Sequence, residues 1–199
     1  MVAPLYLALV HHPVQNRKGE EVAASVTSLD LHDVSRAART YGVRRLFVVH
    51  PSEAQRRFVR RVRDHWREGW GAEYNPTRRE ALELLEDVGD LGECVERVER
   101  REGQRPRVVT TSARQRSGCV GFAWLRERLE RGEGPWLLLL GTGWGLAGEA
   151  ERVADHRLEP LRGAGEPYNH LSVRCAAAII LDRLLGERGR GEGPGDGVR

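Results

Sequence analysis

Cysteine is scarce in this sequence, and none of it is arranged in pairs. Cys94, Cys119 and Cys175 are odd in number and far apart, with no C-x-x-C. That excludes a disulfide framework and a zinc knuckle and fits reduced thiols in a cytoplasmic protein. Long apolar runs are missing too. No segment approaches the roughly 20 residues that a spanning helix needs, so no membrane association is expected. The opening "MVAPLYLALVHH" has no basic region before its apolar stretch and reads as a first β-strand, not a secretory signal. Lysine is nearly absent, Lys18 being the only one among 32 basic residues. Arginine forks suit phosphate recognition, but a bias spread over the whole chain reads as compositional.

What is present describes one soluble globular domain, with 40% hydrophobic and 31% charged residues in a chain of 199. Strand-like apolar runs alternate with helical patterns, which predicts an α/β fold with a mostly parallel sheet flanked by helices. The predicted strands are Leu5–Val10, Leu46–His50, Arg107–Thr111, Trp136–Leu140 and a short Arg157–Leu158. The predicted helices are Leu31–Tyr41, Ser52–Glu68, Thr77–Val88, Leu91–Glu102, Gly121–Arg131 and Leu171–Leu185. Ser52 and Thr77 stand at N-cap positions, and Glu80 completes a capping box with Thr77. In "RRFVRRVRDHWRE" the apolar Phe58, Val59, Val62 and Trp66 recur at helical spacing and face the core, leaving the arginines on the solvent side. The polar stretch Val14–Asp30 is a long loop of the kind that carries function. The tail, residues 187–199, is rich in glycine and charge and is expected to be disordered, which leaves a single domain over 1–186.

One motif competes with this reading. "LLLLGTGWGLAGE" places Gly143, Gly145 and Gly148 in G-x-G-x-x-G after a strand, the fingerprint of a dinucleotide fold. Such a fold needs a full crossover helix after the turn. Here the helix has room only from about Leu146 to Ala154 before Pro160 ends the next strand. Two turns, at about 1.5 Å per residue, are short for that crossover. An NAD-dependent oxidoreductase using the Gly143–Gly148 turn remains the alternative from another class.

The residues that follow point elsewhere. Taken with the glycine turn, "LEPLRGAGEPYNHLSVRCAAAIILDRLLG" resembles the signature region of the SPOUT (α/β-knot) RNA methyltransferases. Gly141, Gly145 and Leu146 fall on the family's second motif, and Leu158, Pro160, Leu161 and Gly163 on its "I-P-M-x-G". Ser172, Val173 and the run Ala176–Ile179 resemble "N-V-S-V-A-A-A-I", with Arg174 and Cys175 as two extra residues and His170 where many members carry Asn. "DLHDVSRAARTYGVRRLFVV" resembles the first motif, with Arg36 at the arginine position in an ungapped alignment and Arg39 in a gapped one. Asp30 and His32 replace that motif's asparagine and glycine.

The resemblance implies a C-terminal deep trefoil knot, S-adenosyl-L-methionine as cofactor, a homodimer, and tRNA or rRNA as substrate. The acceptor would be a ribose 2′-hydroxyl or a base nitrogen, guanine among them. It also implies a cofactor site at Thr111, Ser112, Leu140, Gly141, Thr142, Gly143, Trp144, Gly145, Leu146, Glu159, Pro160, Leu161, Gly163, Asn169, His170, Leu171 and Ser172. Arg36, Asp33 and Ser172 are the catalytic candidates, with Asp30 or Asp33 as general base and Arg36 on phosphate or a hydroxyl. Mundane roles compete: Asp30 is a credible N-cap for the helix at Leu31, and Arg36 a surface charge. Tyr74 in "GAEYNP" suits base stacking or a plain turn. A knotted RNA-binding protein without activity is a further alternative.

Overall fold

Six residues of Leu5–Val10 (β1) lie beside six of Trp136–Gly141 (β8), and the rest of the sheet grows outward from that pair. The computed structural model describes residues 1–68, 73–165 and 168–187. On one side of β1 come Leu46–Val49 (β4) and then Leu85–Val88 (β5); on the other side of β8 come Arg107–Thr110 (β6), His156–Leu158 (β9) and Cys119–Val120 (β7). All pairings in this seven-stranded sheet are parallel. β1 and β4 are buried at every position, the pattern of strands covered on both faces in a parallel sheet.

Helices supply the two covers. Against Leu5, Leu7, Leu9 and Leu138 pack Ser28–Thr40 (α1), Glu53–Glu68 (α2), Pro76–Leu82 (α3), Phe122–Glu130 (α5) and Val173–Leu185 (α7). Against Tyr6, Ala8, Phe47 and Leu139 pack Leu91–Glu102 (α4) and the single turn Glu149–Arg152 (α6). In α2, Val59 is buried and Phe58, Val62 and Trp66 pack against the core. Its arginines pair outward, Arg60 with Glu53 and Asp87, and Arg63 with Asp64. The solvent-face reading of that cluster stands.

Three expectations are corrected. Thr77–Val88 is not one helix: α3 ends at Leu82 and "LEDV" becomes β5, paired with β4. Four residues, two of them acidic, are too few to show a period of their own, and the edge of β4 pairs with them. Asn75, not Thr77, caps α3: its Oδ1 accepts from the Arg78 amide (3.0 Å), and Glu80 pairs with Arg39 (3.0 Å) instead of closing a capping box. Asp30 is not an N-cap either. The helix begins at Ser28 under Thr27, whose hydroxyl accepts from the Asp30 amide (3.2 Å) and donates to its carboxylate (2.6 Å). The loop Val14–Asp30 contains an antiparallel hairpin, Val14–Gln15 (β2) with Glu21–Val22 (β3), that the sequence pattern did not reveal. Residues 188–199, nearly all of the expected tail, lie outside the described residues.

At the carboxyl end of β1, His11 is fully buried and neither ring nitrogen has a well-placed hydrogen-bond partner among the described residues. Burial pushes its pKa down to about 4; nearby Asp30 and the Leu9 carbonyl favour the cation, and His50 opposes it. A histidine held neutral in the folded state leaves more protons on the unfolded chain, so stability rises with pH between about 4 and 6.5. His11 contributes on the order of 3 kcal/mol to that rise. His50, His32 and His156 are shifted the same way by burial, so the test is a difference. Urea unfolding at a series of pH values should show a shallower pH dependence for His11→Asn than for the unaltered protein; equal slopes would refute the assignment.

Candidate active site

The carboxyl ends of parallel strands are where open α/β sheets bind ligands, and a cleft of about 770 Å³ lies there. This is within the size range of small-molecule sites. Five stretches distant in sequence build it. Thr111, Ser112, Ala113 and Arg114 follow β6, and Leu140 to Gly145 end β8. Glu159 and Leu161 follow β9, and Asn169 to Val173 lead into α7. Ala24, Ser25 and Asp30 close the side nearest β1. Ala176 and Ile180 make part of the wall apolar.

Most of the residues named from sequence therefore meet in one place. Leu146, Pro160 and Gly163 do not line the cleft. Leu146 is buried in the core, Pro160 is buried, and Gly163 is exposed. Glu159 has a structural task as well: its Oε1 accepts from the Phe122 amide (2.8 Å) at the start of α5, whose N-cap Gly121 offers no side chain. Ser172 caps α7, accepting from the Cys175 amide (3.2 Å). Thr111 and Thr142 donate to the carbonyls of Leu139 (2.9 Å) and Val10 (3.1 Å), which ties the loops to the strand ends.

The glycines do different work from that of a dinucleotide fingerprint. A pyrophosphate would need free amides at this turn. Instead the Trp144 amide donates to the Gln15 carbonyl (3.0 Å), the Gly145 amide to Thr142 (3.1 Å) and the Ala147 amide to Pro13 (3.2 Å). The helix that follows is only four residues long. Gly141 is required by packing, since a Cβ there would sit 2.8 Å from the Leu146 nitrogen. Gly145 has φ +110° and nothing within 4 Å of where a Cβ would be, so its missing side chain leaves the cleft open.

Charge enters from α1. Asp30 lines the cleft, and Arg174, in the first turn of α7, reaches its carboxylate at 3.6 Å and that of Asp33 at 3.6 Å. Asp33 itself lies outside the cleft wall and is exposed. Arg36 is exposed, outside the wall, and has no ion pair among the described residues; Arg39 is engaged by Glu80. Sequence reasoning missed Arg174 as the group that positions the aspartates, because its partners lie more than 140 positions away.

Residues 4–186 match the family described as SAM-dependent RNA methyltransferase. This chain belongs to that family. It is 39% identical over 181 residues to an uncharacterized protein of Aquifex aeolicus, covering 91% of this chain and 88% of that one. It is 45% identical over 183 residues to a protein of Oleidesulfovibrio alaskensis named tRNA (guanine-N(1)-)-methyltransferase. That match covers 92% of this chain but 42% of the relative, so the chain spans less than half of that protein's length. The fold matches the SpoU methyltransferase AviRb from Streptomyces viridochromogenes in complex with AdoMet, with TM-score 0.55 and 16% identity over 93% of this chain and 58% of that one. The SPOUT resemblance is thereby borne out, and the cofactor of the family is S-adenosylmethionine.

The cleft suits that cofactor, with apolar walls at Leu140, Leu161 and Ile180 for an adenine and polar groups at Thr111, Ser112 and Asn169 for a ribose. Gly145→Leu should abolish S-adenosylmethionine binding in calorimetry, because the side chain would fill the space left open. Strain at positive φ adds about 1–2 kcal/mol, so a modest fall in Tm is expected alongside. Unchanged affinity in the folded variant would place the cofactor elsewhere.

Proposed function

We propose that this chain methylates tRNA or rRNA, at a ribose 2′-hydroxyl or a guanine ring nitrogen. The observation that carries this reading is a carboxylate, Asp30, held in the wall of the cofactor cleft by Thr27 and Arg174. The ribose 2′-hydroxyl and guanine N1 both bear a proton that must leave as the methyl arrives, and a positioned carboxylate is the group to take it. The bound cofactor supplies an activated methyl group for in-line displacement. The chain's own residues orient the two partners and exclude water. Asp30 thus replaces Asp33 as the general base, and Arg36, exposed and without an ion pair among the described residues, holds phosphate of the acceptor strand. Ser172 keeps the loop before α7 in shape. The name of the Oleidesulfovibrio relative supports tRNA, while its guanine-N1 part belongs to a protein more than twice as long. The oxidoreductase alternative finds no support in a glycine turn whose Trp144, Gly145 and Ala147 amides are already bonded and whose following helix is only four residues long.

The same reading makes residues 1–186 one domain of a cytoplasmic enzyme and threads the segment between β9 and α7 through the loop after β6 as a trefoil knot. Contacts between these loops support the threading: Asn169 donates to the Ala113 carbonyl (2.9 Å) and Arg162 to Gln115 (3.2 Å). A homodimer follows from α7. The helix buries Ala177, Ile180, Leu181 and Leu184 in its own core and so leaves a narrower apolar face than its sequence suggests. What stays exposed is a stripe of Leu171 (48%), Cys175 and Ile179 (38%), with Tyr168 close by in sequence. A two-fold partner covers such a stripe.

Two measurements test this. With S-adenosylmethionine and bulk tRNA or rRNA, mass spectrometry of the nucleosides should show one new methylated species and identify its atom. Asp30→Asn should lower kcat ~100-fold or more in a protein that still folds. Arg36→Ala should lower kcat/KM for RNA without changing cofactor affinity, whereas Arg39→Ala loses only the surface pair with Glu80. Full activity in both Asp30→Asn and Arg36→Ala would sink the assignment. Separately, light scattering should give a dimer for the unaltered protein and a monomer for Ile179→Glu; a stable monomer at micromolar concentration before any substitution would contradict the interface.

A further inference from the structure

The hairpin β2–β3 builds its own turn. Asn16 Oδ1 accepts from the amides of Lys18 (2.8 Å) and Glu20 (3.1 Å), and the Gly19 amide donates to the Asn16 carbonyl (3.0 Å). The result is a fixed tip that presents Arg17 and Lys18 to solvent, neither with an ion pair among the described residues. The carboxylates of the hairpin are turned to other tasks. Glu20 accepts from the Asn16 amide group (2.7 Å), and Glu21 lies 3.8 Å from His12.

The same hairpin is bonded to the glycine turn. The Gln15 amide donates to the Gly145 carbonyl (2.8 Å), and the Gln15 carbonyl accepts from Trp144 (3.0 Å). Trp144 lines the cleft and is 50% exposed. An indole left half in water at a cofactor cleft, on a backbone shared with two unpaired cations, has the chemistry of a single-stranded RNA contact. Bases stack on aromatic faces while cations follow the phosphates.

We propose that the hairpin tip and Trp144 seat the RNA strand that carries the acceptor, with Arg17 and Lys18 on its phosphodiesters and Trp144 under one base. This rests on RNA being the substrate. The hairpin that carries Arg17 and Lys18 and the turn that carries Trp144 are joined backbone to backbone, so the side chains that hold the strand keep a fixed register against the methyl donor.

Binding of labelled bulk tRNA, followed from about 50 to 300 mM KCl, tests the proposal. The double variant R17A/K18A should bind roughly 10-fold more weakly at the low-salt end. Its log–log salt slope should flatten by about 1.4–1.8, the value for two lost phosphate contacts. Trp144→Ala should weaken binding by ~10-fold or more with its salt slope kept, because stacking releases no counterions. R100A/R105A, on the far end of the sheet, should match the unaltered protein. Unchanged affinity and slope in R17A/K18A would overturn the seat, and so would a weaker affinity with an unchanged slope, which signals a merely structural effect. Failure of the unaltered protein to bind RNA at all would overturn the substrate reading itself, and this seat with it.

Discussion

The parallel pairing of β1 with β8 is the constraint on which everything else depends. Leu5 faces Trp136 and Val10 faces Gly141, residues more than 130 positions apart. Once this register is set, the chain leaving β1 and the chain leaving β8 emerge side by side. The hairpin after β1 then lies against the glycine turn, and amides and carbonyls of the two bond each other. Buried or half-buried peptide groups left unpaired would be costly, so the two loops fix one another.

That mutual satisfaction also explains what the glycine turn is for. A turn with free amides suits anions; here the Thr142, Trp144, Gly145 and Ala147 amides are bonded within the protein, which leaves shape and the remaining backbone groups to meet a ligand. Thr111 and Thr142 spend their hydroxyl protons on strand-end carbonyls, which stiffens the rim. The position beside Gly145 is open, with nothing within 4 Å of where a Cβ would be. Asp30 brings the one carboxylate of α1 that reaches the cleft wall. Its placement is set from the opposite end of the chain by Arg174, which bridges Asp30 and Asp33 and so ties α1 to α7.

Much of this was legible in the sequence. "LYLALV", "LFVV" and "WLLLL" are apolar on both faces, and only a covered parallel sheet accommodates such strands. The helices α2, α4 and α7 show their apolar stripes directly. The run of glycines followed by "LEPLRG" and "LSVRCAAAII" named the family, and with it most of the cleft: Thr111, Ser112, Leu140 to Gly145, Leu161 and Asn169 to Ser172 do line one cavity. These signals are local or are carried by motif order, so a linear reading finds them.

Tertiary structure decided the rest. "LEDV" is helical or extended with equal ease, and the free edge of β4 makes it a strand. Asp30 and Asp33 are three residues apart on one helix, and only the direction in which α1 packs puts the first in the cleft and leaves the second outside. Thr77 and Glu80 have capping-box spacing, yet Asn75 and Arg39 compete for their roles and win. The sequence by itself determined which segments are apolar and with what period, because burial preference belongs to each residue. Which polar groups meet, and so what the site can do, was settled only when strands distant in the chain paired.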